Sequence, residues 1–322
     1  MLQFTANNNC FNILHTKTDI ADITREPTHT TILSKEIQIP FKFDSLVLGA
    51  TALLPVGASL LIELQVTKDN VSTPWFKAAL FEHKGGRSFP GDQTHEIGNM
   101  ETDIFKAKTY ADSYKYRITT AGRASLLNIF STLTRFGAQF NLEESSQFIA
   151  PNQILLDVPK ISQIQHGGEI KNRICSPSCL TMLMKFYGYD AQLQDIALQA
   201  YDHTADIYGN WLNAIACAGS YGMDARLARF ETMQQLYAQL LYGTPVIASI
   251  LYKKGELKGA HKEKTAGHLV LVKGVDANGN IIVNDPAAKD DNHVETVYDS
   301  KEFAKVWLGN KKGLAYLIGR GQ

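Results

Sequence analysis

Cysteine is scarce: Cys10, Cys175, Cys179 and Cys217 are the only four in 322 residues, too few and too scattered for a disulfide framework. Surplus charge of either sign is missing as well, since 32 Lys and Arg offset 32 Asp and Glu. A neutral chain sets up no broad field for nucleic acid or an anionic membrane, so neither partner is expected. No window approaches the roughly 18 consecutive apolar residues of a membrane span. The opening Met1-Leu2-Gln3-Phe4-Thr5 has neither the basic start nor the apolar stretch of a cleaved secretory signal. Internal repeats and low-complexity tracts are lacking too. These absences favour a reduced cytoplasmic protein, or one exported without a cleaved signal.

What is present is an ordinary globular composition, 44% apolar and 20% charged. A domain usually holds about 100–200 residues, so two domains are expected. The rhythm changes near Asn152, which divides the chain into 1–150 and 151–322. In the first part Ile37, Ile39, Phe41 and Phe43 alternate with Gln38, Pro40 and Lys42. Ile62, Leu64 and Val66 alternate with Glu63 and Gln65, and Tyr114, Tyr116 and Ile118 with Lys115, Arg117 and Thr119. Period two buries one face of a strand and leaves the other to solvent. With Gly- and Asp-rich breaks such as Lys84-Gly85-Gly86-Arg87, the expected fold is an all-β sandwich of jelly-roll kind. Trp75 is a candidate platform for a carbohydrate or peptide ligand of this domain, against the commoner role of an aromatic packed in a core.

Residues 151–322 follow another pattern. Ser176-Pro177 reads as a helix start, a hydroxyl cap with proline at the first helical position. Leu180, Leu183, Met184 and Tyr187 then form one apolar stripe that Gly188 ends. Further helices are expected near 192–200, 211–218 and 232–241. Strands follow at 246–250 and 269–272, and an Asn278-Gly279 turn leads to another at 281–283. Helices first and an antiparallel sheet afterwards is an α+β layout.

Cys175 stands just ahead of the expected cap, where free N–H groups and the helix dipole favour thiolate over thiol. Histidine is the usual partner that poises such a thiol. His268 opens one strand and Asp285 closes the next. With an even number of loop residues the two share a face, whereas an odd loop needs a bulge to restore that. A carboxylate there would accept the Nδ1 proton of the imidazole and hold the ring toward the sulfur. Cys179, one turn deeper on the apolar stripe, reads as core. Zinc is a poor fit for Cys175 and Cys179, because a site needs four ligands and no second close pair exists.

The segment LDVPKISQIQHGGEIKNRICSPSCLTMLMKFYG resembles the nucleophile region of papain-like cysteine peptidases of the double-glycine-leader, bacteriocin-processing type. It is most similar to a stand-alone branch with VPxxSQ, a Gly-bearing loop, then CSPT or CGPT and a helix. The likeness continues through DIYGNWLNAIACAGSYGMDARL, GTPVIASI, GHLVLVKGVDANGNIIVNDPAA and FAKVWLG, and so spans the second half. SLLIELQV, PWFKAALF and METDIF are similar, less specifically, to the sandwich that precedes the peptidase in that branch. The resemblance implies Cys175 as nucleophile, His268 as base, Asp285 as orienter and an upstream oxyanion-hole glutamine. Gln163 matches the SQ position and Gln165 is its rival. One departure is Ser178-Cys179, which replaces the usual small hydroxyl pair after the proline.

Together these readings describe a thiol hydrolase of peptide or amide bonds, acting on a peptide or protein substrate with no metal or organic cofactor. Asn210 and Trp211, in Tyr208-Gly209-Asn210-Trp211, are candidate substrate contacts, and the polar stretch 253–265 is either a lid or a plain connection. The same trio also serves an amidase, deamidase or acyltransferase acting on a partner protein. A catalytically idle binding protein is a third reading, which the joint presence of Cys, His, Asp and Gln disfavours.

Overall fold

The alternation in the first half is written into burial. In the computed structural model, which describes residues 9–140, 142, 150 and 152–321, the side chains of Ile62, Leu64, Val66, Tyr114, Tyr116 and Ile118 are fully buried. Lys115, Arg117 and Gln65 on the opposite face keep partial exposure. Glu63 breaks the pattern: it is buried, and the Arg117 guanidinium holds its carboxylate through two hydrogen bonds of 2.7 and 2.8 Å. Such a two-pronged pair compensates a carboxylate for the water it loses.

Five long strands carry this half: β1 (Ile37–Leu53), β2 (Ser59–Lys68), β3 (Phe76–Glu82), β4 (Ile104–Ala121) and β5 (Ser125–Arg135). They pair antiparallel in the order β5-β1-β4-β2-β3. The two longest change partner along their length. β1 pairs with β4 near its start and with β5 over 43–53, while β4 passes from β1 to β2 at Ser113. Register shifts between Lys106 and Ser113 mark where β4 bends to do so.

The second half begins with the short helix α1 (Gln163–His166), then α2 (Cys175–Phe186) and α3 (Leu193–Gln199). Next come α4 (Trp211–Ser220) and α5 (Met233–Leu241). Five strands follow: β6 (Val246–Tyr252), β7 (Thr265–Val275), β8 (Ile281–Asn284), β9 (Glu295–Tyr298) and β10 (Leu314–Gly319). Their order is β10-β6-β7-β8-β9, antiparallel throughout. Among the described residues no helix is long and apolar enough to cross a membrane.

α2 starts two residues before the point that Ser176-Pro177 suggests. Cys175 is its first helical residue and Ile174 holds the cap position without a side-chain hydrogen bond. The Ser176 hydroxyl is engaged elsewhere, 3.0 Å from the Tyr316 phenol. Pro177 still lies in the first turn, where a missing N–H leaves no helical bond unmade. At the far end Gly188 takes φ +86°, the left-handed conformation expected of the residue that stops the helix.

The chain packs as two compact units whose limits differ from a division at 150/151. One unit runs to Gln139 and adds Gln199–Leu227 and the C-terminal glycine, Gly321; the other holds Phe140–Leu198 and Ala228–Arg320. The segment with α4 therefore belongs with the strands of the first half. Its bonds explain why: Trp211 N–H donates to Asp103 at 3.0 Å, and the Asp202 carboxylate accepts from Ser88 N–H at 3.2 Å. Gly219 is pressed so closely onto β1 that a Cβ there would stand 2.4 Å from Thr51 Cβ.

In the second unit, Gly313 precedes β10 with φ +63°, and a Cβ there would lie 1.8 Å from the Phe230 carbonyl oxygen. Gly313→Ala adds backbone strain to that clash, and strain alone costs about 1–3 kcal/mol. A clear drop in the thermal unfolding midpoint is expected; an unchanged midpoint would contradict this packing.

Candidate functional site

The hairpin of β7 and β8 brings His268 and Asp285 together. Val275 pairs with Ile281, so the loop 276–280 has an odd count of five residues. The register then shifts between Val272 and Gly274, leaving Lys273 as a bulge, and Leu271 comes opposite Asn284. Without that bulge Asp285 would project from the wrong face; with it, Asp285 follows on the face that carries His268. Asp276 fixes the loop by accepting the N–H groups of Asn278 and Asn280, each at 2.8 Å, and Gly279 supplies φ +84°.

His268 and Asp285 are both fully buried, and His268 Nε2 lies 2.7 Å from Asp285 Oδ1. This corrects the ring orientation expected above, in which Nδ1 faced the carboxylate. Nε2 is the nitrogen farther from the backbone and is the one that reaches across the hairpin. Nδ1 has no hydrogen-bond partner among the described residues and is left for the thiol, whose charge acts on the ring. Asp285 is saturated with donors: Oδ1 also accepts Ala287 N–H at 2.9 Å, and Oδ2 accepts the Tyr298 phenol at 2.7 Å. Burial opposes its charge, but the imidazolium and these bonds outweigh burial and bring its pKa down to about 2. Burial likewise opposes charge on His268, yet Asp285 and the Cys175 sulfur raise it to about 9.

Cys175 is half-buried at the start of α2, whose first N–H groups have no partner within the helix. Burial pushes its thiol up; the hydrogen bond and charge of His268, the Leu269 N–H and the Lys262 charge prevail and leave it below the ordinary thiol range. Cys179 is the contrast. It is fully buried, its thiol donates to Leu269 O at 3.3 Å, and burial raises its pKa well above the usual value. Cys217 is buried too and pushed up to about 12.

Gln163 is fully buried at the start of α1. Its backbone N–H donates to Pro286 O at 2.8 Å, which ties it to the residue beside Asp285. Ser162 strengthens the clamp: its hydroxyl donates to Ala288 O at 2.6 Å and its N–H to Asp291 at 2.7 Å. The Gln163 amide donates to Lys171 O at 2.6 Å. Gln165 is exposed, and its oxygen accepts the Asp291 N–H at 3.0 Å.

A family model for the Peptidase C39 like family matches residues 155–314, and one for the Peptidase C39 N-terminal domain matches 11–140. The chain belongs to the C39-like peptidase family. Among solved structures, the peptidase domain of Streptococcus ComA, a bifunctional ABC transporter, is 20% identical, covering 52% of this chain and 98% of its own at a TM-score of 0.35. A protein from Bacillus anthracis assigned as a C39-like peptidase is 15% identical over 53% of this chain and 100% of its own, at 0.39. The Streptococcus mutans ComA peptidase domain is 20% identical over 50% and 97%, at 0.31. Family membership rests on the two family models. No curated protein matches the chain.

Two other residues expected as substrate contacts are held by bonds within the first unit. Asn210 and Trp211 belong to the first unit. There Asn210 caps α4 by accepting Asn213 N–H at 2.9 Å, and its amide donates to Asp202 at 2.5 Å. Tyr298 is the participant that sequence reasoning missed; its only signal is the weak alternation of 295–298, a strand and a loop away from His268.

Asp285→Asn removes the charge that holds up the His268 pKa but keeps the burial that lowers it. The imidazole, then supported by the Cys175 sulfur alone, should titrate well below about 9, as read by NMR. An unmoved His268 titration in Asp285→Asn would contradict the assignment of the pair.

Proposed function

We propose that this C39-like chain is a cysteine peptidase with Cys175 as nucleophile, His268 as proton carrier and Asp285 as orienter. The single observation that carries the reading is the buried 2.7 Å contact of His268 with Asp285, next to a thiol held below its usual pKa. A raised histidine beside a lowered cysteine favours the thiolate–imidazolium pair as the resting state. The thiolate adds to the scissile carbonyl. His268 Nδ1 gives its proton to the leaving amine as the C–N bond breaks, and the acyl-enzyme remains. Water then attacks the thioester while the same nitrogen takes its proton, and the acid departs.

Gln163 is the proposed oxyanion donor, with the Cys175 N–H at the helix start. Its burial and its tie to Pro286 favour it over the exposed Gln165. The matching fold reading is a jelly-roll-like sandwich followed by a papain-like α+β domain, near the 1–150 and 151–322 division. Peptide hydrolysis is preferred over amidase, deamidase or transferase chemistry because the family is one of peptidases. A peptide or protein is the substrate class.

Alkylation by iodoacetamide near neutral pH, followed by mass spectrometry, should modify Cys175 far faster than Cys10, Cys179 or Cys217. Gln163→Ala should leave that alkylation unchanged, since no oxyanion forms, while lowering kcat on a peptide substrate by about 10²–10³-fold. Turnover should rise as Cys175 ionises and fall as pH passes about 9 and His268 loses its proton. Equal, slow labelling of all four cysteines would sink the proposal.

A further inference from the structure

The polar stretch between β6 and β7, residues 253–264, is tied down along its length. Glu256 accepts the Lys253 N–H at 2.9 Å and pairs with Lys305 at 3.0 Å. Lys254 pairs with Glu263 across the loop, and the Lys258 N–H donates to Glu302 at 2.8 Å. His261 lies 3.0 Å from the Thr296 hydroxyl on β9, and Leu257 is buried. At the base of the loop the buried Tyr252 phenol donates to the Lys262 carbonyl at 3.2 Å. Of the two roles open to this stretch, these bonds fit a fixed wall better than a lid.

Within that wall Lys262 stands out. The acids around it are all matched: Glu263 by Lys254, Glu256 by Lys305 and Glu302 by Lys258. Among the described residues Lys262 has no carboxylate within ion-pairing distance. Its neighbours His261 and Glu263 are exposed, whereas Lys262 is half-buried. An ammonium partly withdrawn from water without a counter-ion is costly. Its place relative to the reacting groups follows from the hairpin: Ile250 pairs with His268 and Tyr252 with Thr265, so the Tyr252 phenol holds Lys262 at the end of β7 that carries the base. The Lys262 charge is felt at the Cys175 sulfur. Between Lys262 and His268, Ala266 and Gly267 are exposed and have almost no side chain, which leaves room for a bound chain.

We propose that Lys262 binds a substrate carboxylate close to the scissile bond, so that peptides with an acidic group there are the preferred substrates. This rests on the reading of Cys175 as nucleophile and adds to it a class of substrate. The bound acid supplies the counter-ion that the wall lacks. A lysine is a compact point charge on a flexible stem, and it takes an Asp or Glu side chain or a chain-terminal carboxylate alike. In the strand-rich unit Trp75, the platform suggested by sequence, is a weaker candidate for ligand recognition, because the Arg117 guanidinium already covers its ring at 4.7 Å.

The test compares alkylation of Cys175 in the full chain by iodoacetate, an anion, and by iodoacetamide, its neutral counterpart. Taking the ratio of the two rates cancels any change in thiol ionisation. Lys262→Gln should lower the iodoacetate-to-iodoacetamide ratio about threefold or more. Lys262→Arg, which keeps the charge, should preserve it, and Lys264→Gln, at an exposed neighbour, should leave it unmoved. Fast labelling of Cys175 with a ratio that ignores Lys262→Gln, or that falls equally in Lys264→Gln, would overturn this inference and leave the nucleophile standing. Slow labelling by both reagents would overturn the two together. Digestion of a proteome-derived peptide mixture, read by mass spectrometry, then separates the sources of the carboxylate. An acidic residue enriched at one fixed position marks a side chain, and cuts at a fixed distance from the C-terminus mark the chain end. Cleavage with neither preference would contradict the assignment.

Discussion

The second unit turns on one buried carboxylate. Asp285 has lost water entirely, a costly position for a charge unless partners replace the solvent. It is compensated by three donors, the imidazole of His268, the Ala287 N–H and the Tyr298 phenol. Each belongs to a different part of the fold: β7, the loop after β8, and β9. A cation at His268 is therefore favoured by what the carboxylate needs, and the histidine in turn lowers the proton affinity of Cys175.

The surrounding architecture serves that arrangement. The Lys273 bulge sets which face of the hairpin carries both residues, and the buried Lys273 ammonium is itself paired with Glu295 at 2.5 Å. The strip before α1 is stitched to the end of β8 and the strip after it: Asn284 donates to Pro159 O at 2.9 Å, and Ser162 bonds to Ala288 and Asp291. Gln163 is thereby fixed beside the Asp285 loop although 122 residues separate the two in sequence. Leu269 joins the remaining pieces, its N–H toward the Cys175 sulfur and its carbonyl toward Cys179.

Much of this was legible beforehand, and the gaps have physical causes. Order and spacing pointed to Cys175, His268 and Asp285, and the odd-loop alternative correctly demanded a bulge. Which imidazole nitrogen faces the carboxylate depends on the ring rotamer, which no spacing encodes. Tyr298 escaped because a hydroxyl that caps a distant carboxylate leaves no periodic trace. Ser176 looked like a helix cap because a hydroxyl before proline is a local signal, whereas its partner Tyr316 lies 140 residues away. A helix near 211–218 was readable, but a helical stretch does not name the surface it will cover, and here that surface is β1 rather than the sheet of its sequence neighbours.

The central claim is that the His268–Asp285 pair holds Cys175 as a thiolate. Ultraviolet thiolate absorbance followed across pH, as wild type minus Cys175→Ala, measures this directly. The signal should persist below the ordinary thiol pKa of about 8.5 and should move upward in Asp285→Asn, because a less protonated imidazole stabilises the thiolate less. A Cys175 signal that appears only at or above the ordinary thiol value, unmoved by Asp285→Asn, would contradict the account.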